Sequence, residues 1–287
     1  MRIAPNEDRR EGSMRFEGKV AVITGGARGL GSAFADAIAA EGAKIALLDV
    51  DEAEVGQTAG ALEKRGFEAL GLQCDVRDEH EVEGVVARVE ERFGRIDFLI
   101  NSAALHRRKY NQPFKVLPRD EVRALFDVNV MGILNCCLAA RPVMAAGGGG
   151  SIVNLTSTAG HTSVTPYGVS KLAARGLTLA LAGEFAEDEI RVNAVSPGFV
   201  GSAGSLAEYP KENLMSLLAS QGVRLPESIL ARCSNRDLVD VFMSLQLTRR
   251  EGRMDDIVKA LLYLCSDDSG FVTGETLKVG GGSASGF

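Results

Sequence analysis

The sequence predicts a single α/β domain with one parallel, doubly wound sheet, helices on both faces and an extended lid over its ligand-binding edge. Three observations predict it. As far as Ser196, short apolar or β-branched runs alternate with longer segments of helical period, a pattern that implies parallel strands joined by right-handed crossovers. The strand candidates, among them Val20 to Ile23 and Ile96 to Ile100, are almost wholly apolar, as strands covered on both faces must be. The 287 residues are enough for a full core, and α/β chains of this size often fold as one domain.

The elements follow in order. KVAVIT is the first strand and 29–41 the first helix; AKIALLD and 51–65 repeat the unit, as do FEALGLQCD and 78–93. IDFLINS is then followed by a long helix at 118–146, SIVNLTS by a helix at 166–186, and IRVNAVS ends the regular alternation. The glycine run 147–150 reads as a helix-terminating loop. Residues 199–250 break the pattern: a Gly/Ser opening leads into apolar clusters at helical spacing, and a segment of that length between regular elements reads as a substrate lid. A helix at 254–266 and a strand from Glu275 to Val279 close the domain, which spans 15–287.

Composition narrows the function. A net charge of −6 and a pI near 5.3 argue against a nucleic-acid or anionic-membrane surface and for small-molecule chemistry. Five cysteines without metal-ligand or paired spacing read as reduced thiols in a cytoplasmic protein. Residues 1–14 are charged, lack the apolar core of a secretory signal and read as a disordered tail. No uninterrupted apolar run approaches the ~18 residues of a membrane span.

TGGARGLG, Thr24 to Gly31, sits between a buried strand and a helix. Gly25, Gly29 and Gly31 there suit a tight turn, close approach of backbone to a pyrophosphate, and a helix N-terminus aimed at it. The spacing differs from the common G-x-G-x-x-G, so position carries the argument. Asp49 ends the second strand about 20 residues on, where a carboxylate accepts from both ribose hydroxyls and repels a 2′-phosphate. Arg28 has the opposite preference, since its guanidinium suits that phosphate. Asp49 lies nearer the deciding atom, which favours NAD over NADP.

TPYGVSK, 165–171, supplies the second site. Tyr167 and Lys171 stand four apart on a predicted helix and therefore share a face. A phenol titrates near 10, too high for a base at neutral pH, and a neighbouring ammonium favours its ionised form. The sequence thus predicts an acid/base tyrosine made more acidic by its lysine.

Taken together, TGGARGLG, Asp49, Asp75-Val76, NSAA at 101–104, Asn129, Ser157, Tyr167-x-x-x-Lys171 and Ser196-Pro197-Gly198 resemble the short-chain dehydrogenase/reductase family over 17–200 and again over about 250–282. The resemblance implies a Rossmann-type fold and hydride transfer between NAD(H) and a secondary alcohol or ketone, with Tyr167 as acid/base. It further implies that Lys171 holds the nicotinamide ribose, that Ser157 polarises the substrate oxygen, and that Asn129 holds a proton-relaying water. Among cofactor contacts it assigns Gly25, Arg28, Gly29, Leu30 and Gly31 to the phosphate loop and Asp75 and Val76 to the adenine. Asn101 and Ala103 fall to the ribose, and Pro197, Gly198, Val200 and Ser202 to the nicotinamide. A homodimer or homotetramer paired through the helices at 118–146 and 166–186 is implied as well. The other reading is a catalytically silent nucleotide-binding or scaffold protein on the same fold.

The chain departs from the family at three places. Ten positions separate Ser157 from Tyr167, a short connection that makes Thr156 and Thr158 alternative substrate contacts. NSAA replaces the usual Asn-Asn-Ala-Gly, and Gly280 stands where aspartate is frequent. Two stretches are expected at the substrate end: HRRKY at 106–110, suited to an anionic group, and the lid side chains Leu206, Tyr209, Met215 and Leu218.

Overall fold

The computed structural model describes residues 14–106, 108–162, 165–200, 211–220, 223 and 225–282. The tail expected at 1–14 therefore lies outside the described residues but for Met14, as do Ser202, Leu206 and Tyr209 of the lid.

Seven strands form one parallel sheet: β1 (Val20–Thr24), β2 (Lys44–Asp49), β3 (Ala69–Gln73), β4 (Phe98–Asn101), β5 (Gly150–Leu155), β6 (Ile190–Pro197) and β7 (Thr276–Val279). Their order across the sheet is 3-2-1-4-5-6-7. The chain builds outward from β1 to one edge, then returns to the centre with β4 and builds to the other. Ligands in such sheets bind at that reversal, beyond the carboxyl ends of β1 and β4, where Thr24 and Asn101 are register partners.

The side chains of β1 show why both faces must be apolar. Val20 and Val22 join one core cluster with Val82 and Val89 of α3 (Glu79–Phe93) and Cys137 of α5 (Gly132–Ala146), while Ala21 and Ile23 join the other with Phe34 and Ile38 of α1 (Gly29–Ala40). All of these are buried. Alternation along a strand sends successive residues to opposite faces, so a strand covered on both sides has no polar side to show.

Two regions refine the sequence reading. The helix expected at 118–146 is α4 (Arg119–Phe126), a π-helical turn at Asp127–Met131, and then α5. Propensity carries no mark for such a turn, and π-bulges gather at functional positions. This joined helix is the one stretch among the described residues long and apolar enough to cross a membrane, yet Ile133, Cys136, Cys137, Ala140 and Met144 pack it into the core beside the sheet. The lid contains α8 (Lys211–Ser220), α9 (Glu227–Leu230) and α10 (Asn235–Ser244), with a small core of its own around Leu214, Leu218, Leu238, Val239 and Phe242. Leu218 is buried in that core and Met215 packs against it, and neither lines the cleft.

Between β5 and the lid run α6 (Ala159–Thr162) and α7 (Pro166–Glu184), and α11 (Met254–Cys265) precedes β7. The start of α7 is fixed by its sequence. The Thr165 hydroxyl accepts from the Gly168 N–H at 3.2 Å, and Pro166 occupies the first helical position, where its missing N–H loses nothing.

Candidate active site

A cleft of about 990 Å³ lies along the carboxyl ends of the strands. Its floor is the glycine loop. Gly25 has φ of +62°, and a Cβ there would meet the Ala103 Cα at 2.8 Å. At Gly31 a Cβ would stand 2.1 Å from the Gly25 carbonyl oxygen, so the first turn of α1 presses on the loop with no room for a side chain. Arg28, Gly29 and Leu30 complete the loop's face of the cleft.

Asp49 fixes the other side of this floor. Its carboxylate accepts from the Ala27 N–H and the Asp51 N–H, both at 3.2 Å. A carboxylate has about four acceptor positions, so the group keeps capacity toward the cleft. Arg28, at the cleft edge, is ion-paired with Glu54 at 2.8 Å. Beyond β3 the cleft is walled by Asp75 and Val76. Arg77 donates to both Asp75 oxygens, at 3.0 and 2.9 Å, and this hydrogen bonding holds the carboxyl below its usual range.

Asn101 does not line the cleft, contrary to the role expected for it. Its side chain turns into the sheet, where Nδ2 donates to Asn154 Oδ1 at 2.8 Å; Asn154 in turn donates to Thr178 Oγ1 at 3.0 Å. The three residues tie β4 and β5 to α7 inside the core, where buried polar groups must find one another. Ala103, two residues on, does face the cleft.

At the far end Ser157, Tyr167 and Lys171 converge. Tyr167 is 7% exposed and Lys171 2%. Lys171 Nζ donates to the Leu155 carbonyl at 2.7 Å, which draws the lysine against the end of β5, and it stands 5.9 Å from the Tyr167 ring centroid. Ser157 follows two residues after Leu155, its hydroxyl accepts from the Ala159 N–H at 3.2 Å, and a hydrogen bond joins it to the phenol. The short connection to Tyr167 thus leaves Ser157 in place. Thr156, by contrast, spends its hydroxyl on the Val195 carbonyl.

Without a bound nucleotide, burial dominates the titration of this group. Burial pushes the Tyr167 phenol up to about 12, with Ser157 the one interaction favouring its ionisation, and burial pushes Lys171 down to about 8. Desolvation outweighs the attraction of phenolate and ammonium because both groups are withdrawn from water.

Asn129, in the π-helical turn, faces away from Lys171. Its Oδ1 accepts from the Leu105 N–H at 2.8 Å, and its Nδ2 donates to the Leu105 carbonyl at 3.3 Å and to Ser170 Oγ at 3.1 Å. The side chain clamps the chain after β4 onto α7, so a water held here would have to rest mainly on backbone groups.

Pro197, Gly198 and Val200 line the cleft from the end of β6 onward, with Val200 bridged to Gly252. The lid contributes Phe199, Phe242 and Gln246, and the start of α11 contributes Met254, none of which sequence reasoning named as cleft residues. A signal existed for two of them: Phe242 and Gln246 are one helical turn apart in the apolar stretch closing the lid. From HRRKY, His106 enters the cleft and its ring lies 4.8 Å from that of Tyr167. Arg107 lies outside the described residues, and Lys109 is committed to Glu121 at 2.6 Å. His161 stands apart, with Nε2 3.1 Å from Ser196 Oγ.

This geometry matches one protein family. The family model for short chain dehydrogenases covers residues 19–213, and that for enoyl-(acyl carrier protein) reductases covers 227–284. The chain belongs to the short-chain dehydrogenase family. Its relatives include the 1,6-dihydroxycyclohexa-2,4-diene-1-carboxylate dehydrogenase of Pseudomonas putida, 36% identical, with 93% of each chain covered. The 7alpha-hydroxysteroid dehydrogenase of Clostridium sardiniense is 35% identical, with 95% of each covered. Among solved structures, NAD+-bound xylitol dehydrogenase superposes with a TM-score of 0.81 at 32% identity, over 93% of this chain and 100% of that one. Short-chain dehydrogenase membership makes this an oxidoreductase and implies a nicotinamide-nucleotide cofactor.

Proposed function

We propose that this short-chain dehydrogenase interconverts a secondary alcohol and its ketone with NAD, using Tyr167 as general acid/base. The observation that carries the reading is the meeting of Ser157, Tyr167 and Lys171 in the cleft that also holds the glycine loop and Asp49. The residues fit the dinucleotide: Gly31 leaves its backbone bare at the helix N-terminus, Asp49 keeps acceptor capacity for a ribose, and the Arg28–Glu54 pair engages the nearest cation for a 2′-phosphate.

When bound, the nicotinamide supplies the hydride acceptor or donor, and its oxidised ring brings a positive charge. The protein's own groups manage the proton. In the reducing direction the neutral phenol, held protonated by burial, gives its proton to the carbonyl oxygen while Ser157 donates a second hydrogen bond to it. In the oxidising direction Tyr167 must first ionise, and a cation beside it offsets the desolvation that holds it at about 12. Lys171, fastened to Leu155, presents its remaining N–H groups toward the cleft.

Similarity to proteins named for hydroxysteroid, polyol and dihydroxycyclohexadiene substrates supports a hydroxylated carbon skeleton as the substrate class. The decisive test is Tyr167→Phe, followed by the reduced-nicotinamide absorbance over a screen of secondary alcohols. Turnover should fall by about 10³ or more, within the range of acid/base contributions, with NAD affinity nearly unchanged. Persistent turnover would overturn the mechanism.

A homodimer or homotetramer is proposed as well. Of the apolar residues on α7, Leu181 and Phe185 are buried in the chain's own core, whereas Leu172 and Leu179 are exposed. Leu138 on α5 and Met131 just before it are exposed too, and together they make an apolar surface of the kind that a second copy covers. Leu172→Glu with Leu179→Glu should reduce the sedimenting mass; an unchanged oligomer would remove α7 from the interface.

A further inference from the structure

His106 is part of the cleft without having a part in the dehydrogenase chemistry just described. Its ring lies 4.8 Å from the Tyr167 ring at an interplanar angle of 48°, and both residues line the cleft. Among the described residues no hydrogen bond engages either ring nitrogen. The backbone behind it is firmly held, because Asn129 bonds both the N–H and the carbonyl of Leu105. A side chain mounted on so fixed a support, with its polar edge uncommitted, is prepared for a ligand atom.

The surroundings say what kind of atom. Leu105, Phe199, Val200, Phe242 and Met254 make most of the substrate end apolar. Against that background His106 and Asn111 are polar side chains of the wall formed after β4, which begins with Ser102. Because the imidazole lies beside the phenol rather than across the cleft, the position it reaches adjoins the one where Tyr167 holds the reacting oxygen.

We propose that His106 is a substrate-specificity residue, which hydrogen-bonds a second oxygen on the carbon next to the reacting carbinol, so that the preferred substrates are vicinal diols or α-hydroxy ketones. Desolvation and the nearby Lys171 charge lower the His106 pKa, and a neutral imidazole can donate from one nitrogen and accept at the other. A hydroxyl, itself donor and acceptor, pairs with a ring of that kind in either tautomer. The proposal rests on the redox reading above.

The test compares cyclohexanol with cis- and trans-cyclohexane-1,2-diol in the full-length protein with NAD or NADP, for wild type, His106→Phe and His106→Asn. Phenylalanine keeps a ring against Tyr167 and removes the hydrogen bond; asparagine restores donor and acceptor without the ring. The kcat/KM ratio of the better diol to cyclohexanol should exceed about ten in wild type, the worth of one hydrogen bond of ordinary net strength, fall toward one in His106→Phe and recover in part in His106→Asn. Calorimetric binding of the same compounds to the nucleotide complex separates the two levels of the argument. Diol binding that His106→Phe weakens about tenfold, without turnover of any alcohol, supports the His106 contact and overturns the redox reading. A diol advantage absent from wild type, or unchanged in His106→Phe by both kinetics and binding, overturns the role of His106 while leaving the dehydrogenase reading intact.

Discussion

Lys171 donates its ammonium proton to the Leu155 carbonyl at 2.7 Å while standing 5.9 Å from the Tyr167 ring centroid, so the residue meant to activate the phenol is itself anchored to the end of a strand. Two buried groups set in this way leave a mark on stability. Lys171 titrates at about 8 in the fold against 10.5 in a free chain, so between those values the unfolded chain binds the extra proton and stability rises with pH. Tyr167 titrates at about 12 against 10.0, so above 10 the unfolded chain loses its proton first and stability falls again.

Burial also pushes up the thiols of Cys74, Cys136, Cys137 and Cys265, which costs stability above about pH 9. The expected outcome is therefore read as a difference: the Tm of wild type minus that of Lys171→Met climbs between pH 8 and 10.5. Lys171→Met should also raise Tm at pH 7, because it removes a cation held out of water without a carboxylate partner. Tyr167→Phe should remove the Tyr167 share of the decline alone. Thermal scans across this pH series check both, and a lysine variant with Tm lowered at pH 7 would mean that the Leu155 bond outweighs desolvation. Function and stability are opposed at this residue, as is common at active sites.

Nucleotide preference is the second prediction. Asp49 and Glu54 act together: the first offers acceptors to a ribose, and the second holds Arg28 at 2.8 Å. Asp49→Ser should lower the NAD-to-NADP ratio of kcat/KM by roughly 10–100-fold, the worth of hydrogen bonds to a charged group. Adding Glu54→Gln releases Arg28 and should shift the ratio further toward NADP, as guanidinium suits phosphate. A double variant no more tolerant of NADP than the single one would place Arg28 too far from the ribose.

Most of the fold was legible because its signals are local. Glycines at 25, 29 and 31, an aspartate ending β2 and strands apolar on both faces each follow from a backbone or burial requirement that one stretch of sequence states alone. The misses arise where tertiary context decides. Asn101 ends a strand at the ligand edge, yet its side chain finds Asn154 on the neighbouring strand; only the register of β4 and β5, where the two are partners, shows that. Leu218 is apolar at helical spacing whether it faces substrate or lid core, and its packing with Leu214 and Leu238 settles the matter. The Tyr167 titration was legible only in part for a related reason: spacing brings Lys171 near, but desolvation depends on everything around the pair.

Asn129 carries the last prediction, because its position in the π-helical turn admits two roles that kinetics can separate. The side chain's contacts run to Leu105 and Ser170, binding the backbone beneath His106 to α7. Its amide is buried, so Asn129→Ala strands a Leu105 N–H and carbonyl and should destabilise the protein by about 1–3 kcal/mol. If the residue positions the wall after β4, that variant raises KM and lowers kcat together, and Tm falls with them. Asn129→Asp, which keeps an acceptor for the Leu105 N–H but loses both donated bonds, should then lie between alanine and wild type in KM. A relay role toward Lys171 predicts something else: kcat falls and shifts its pH profile, while KM and Tm hold. The hydrogen bonds favour the first outcome, since each polar atom of this amide already has a protein partner and Lys171 is not one of them.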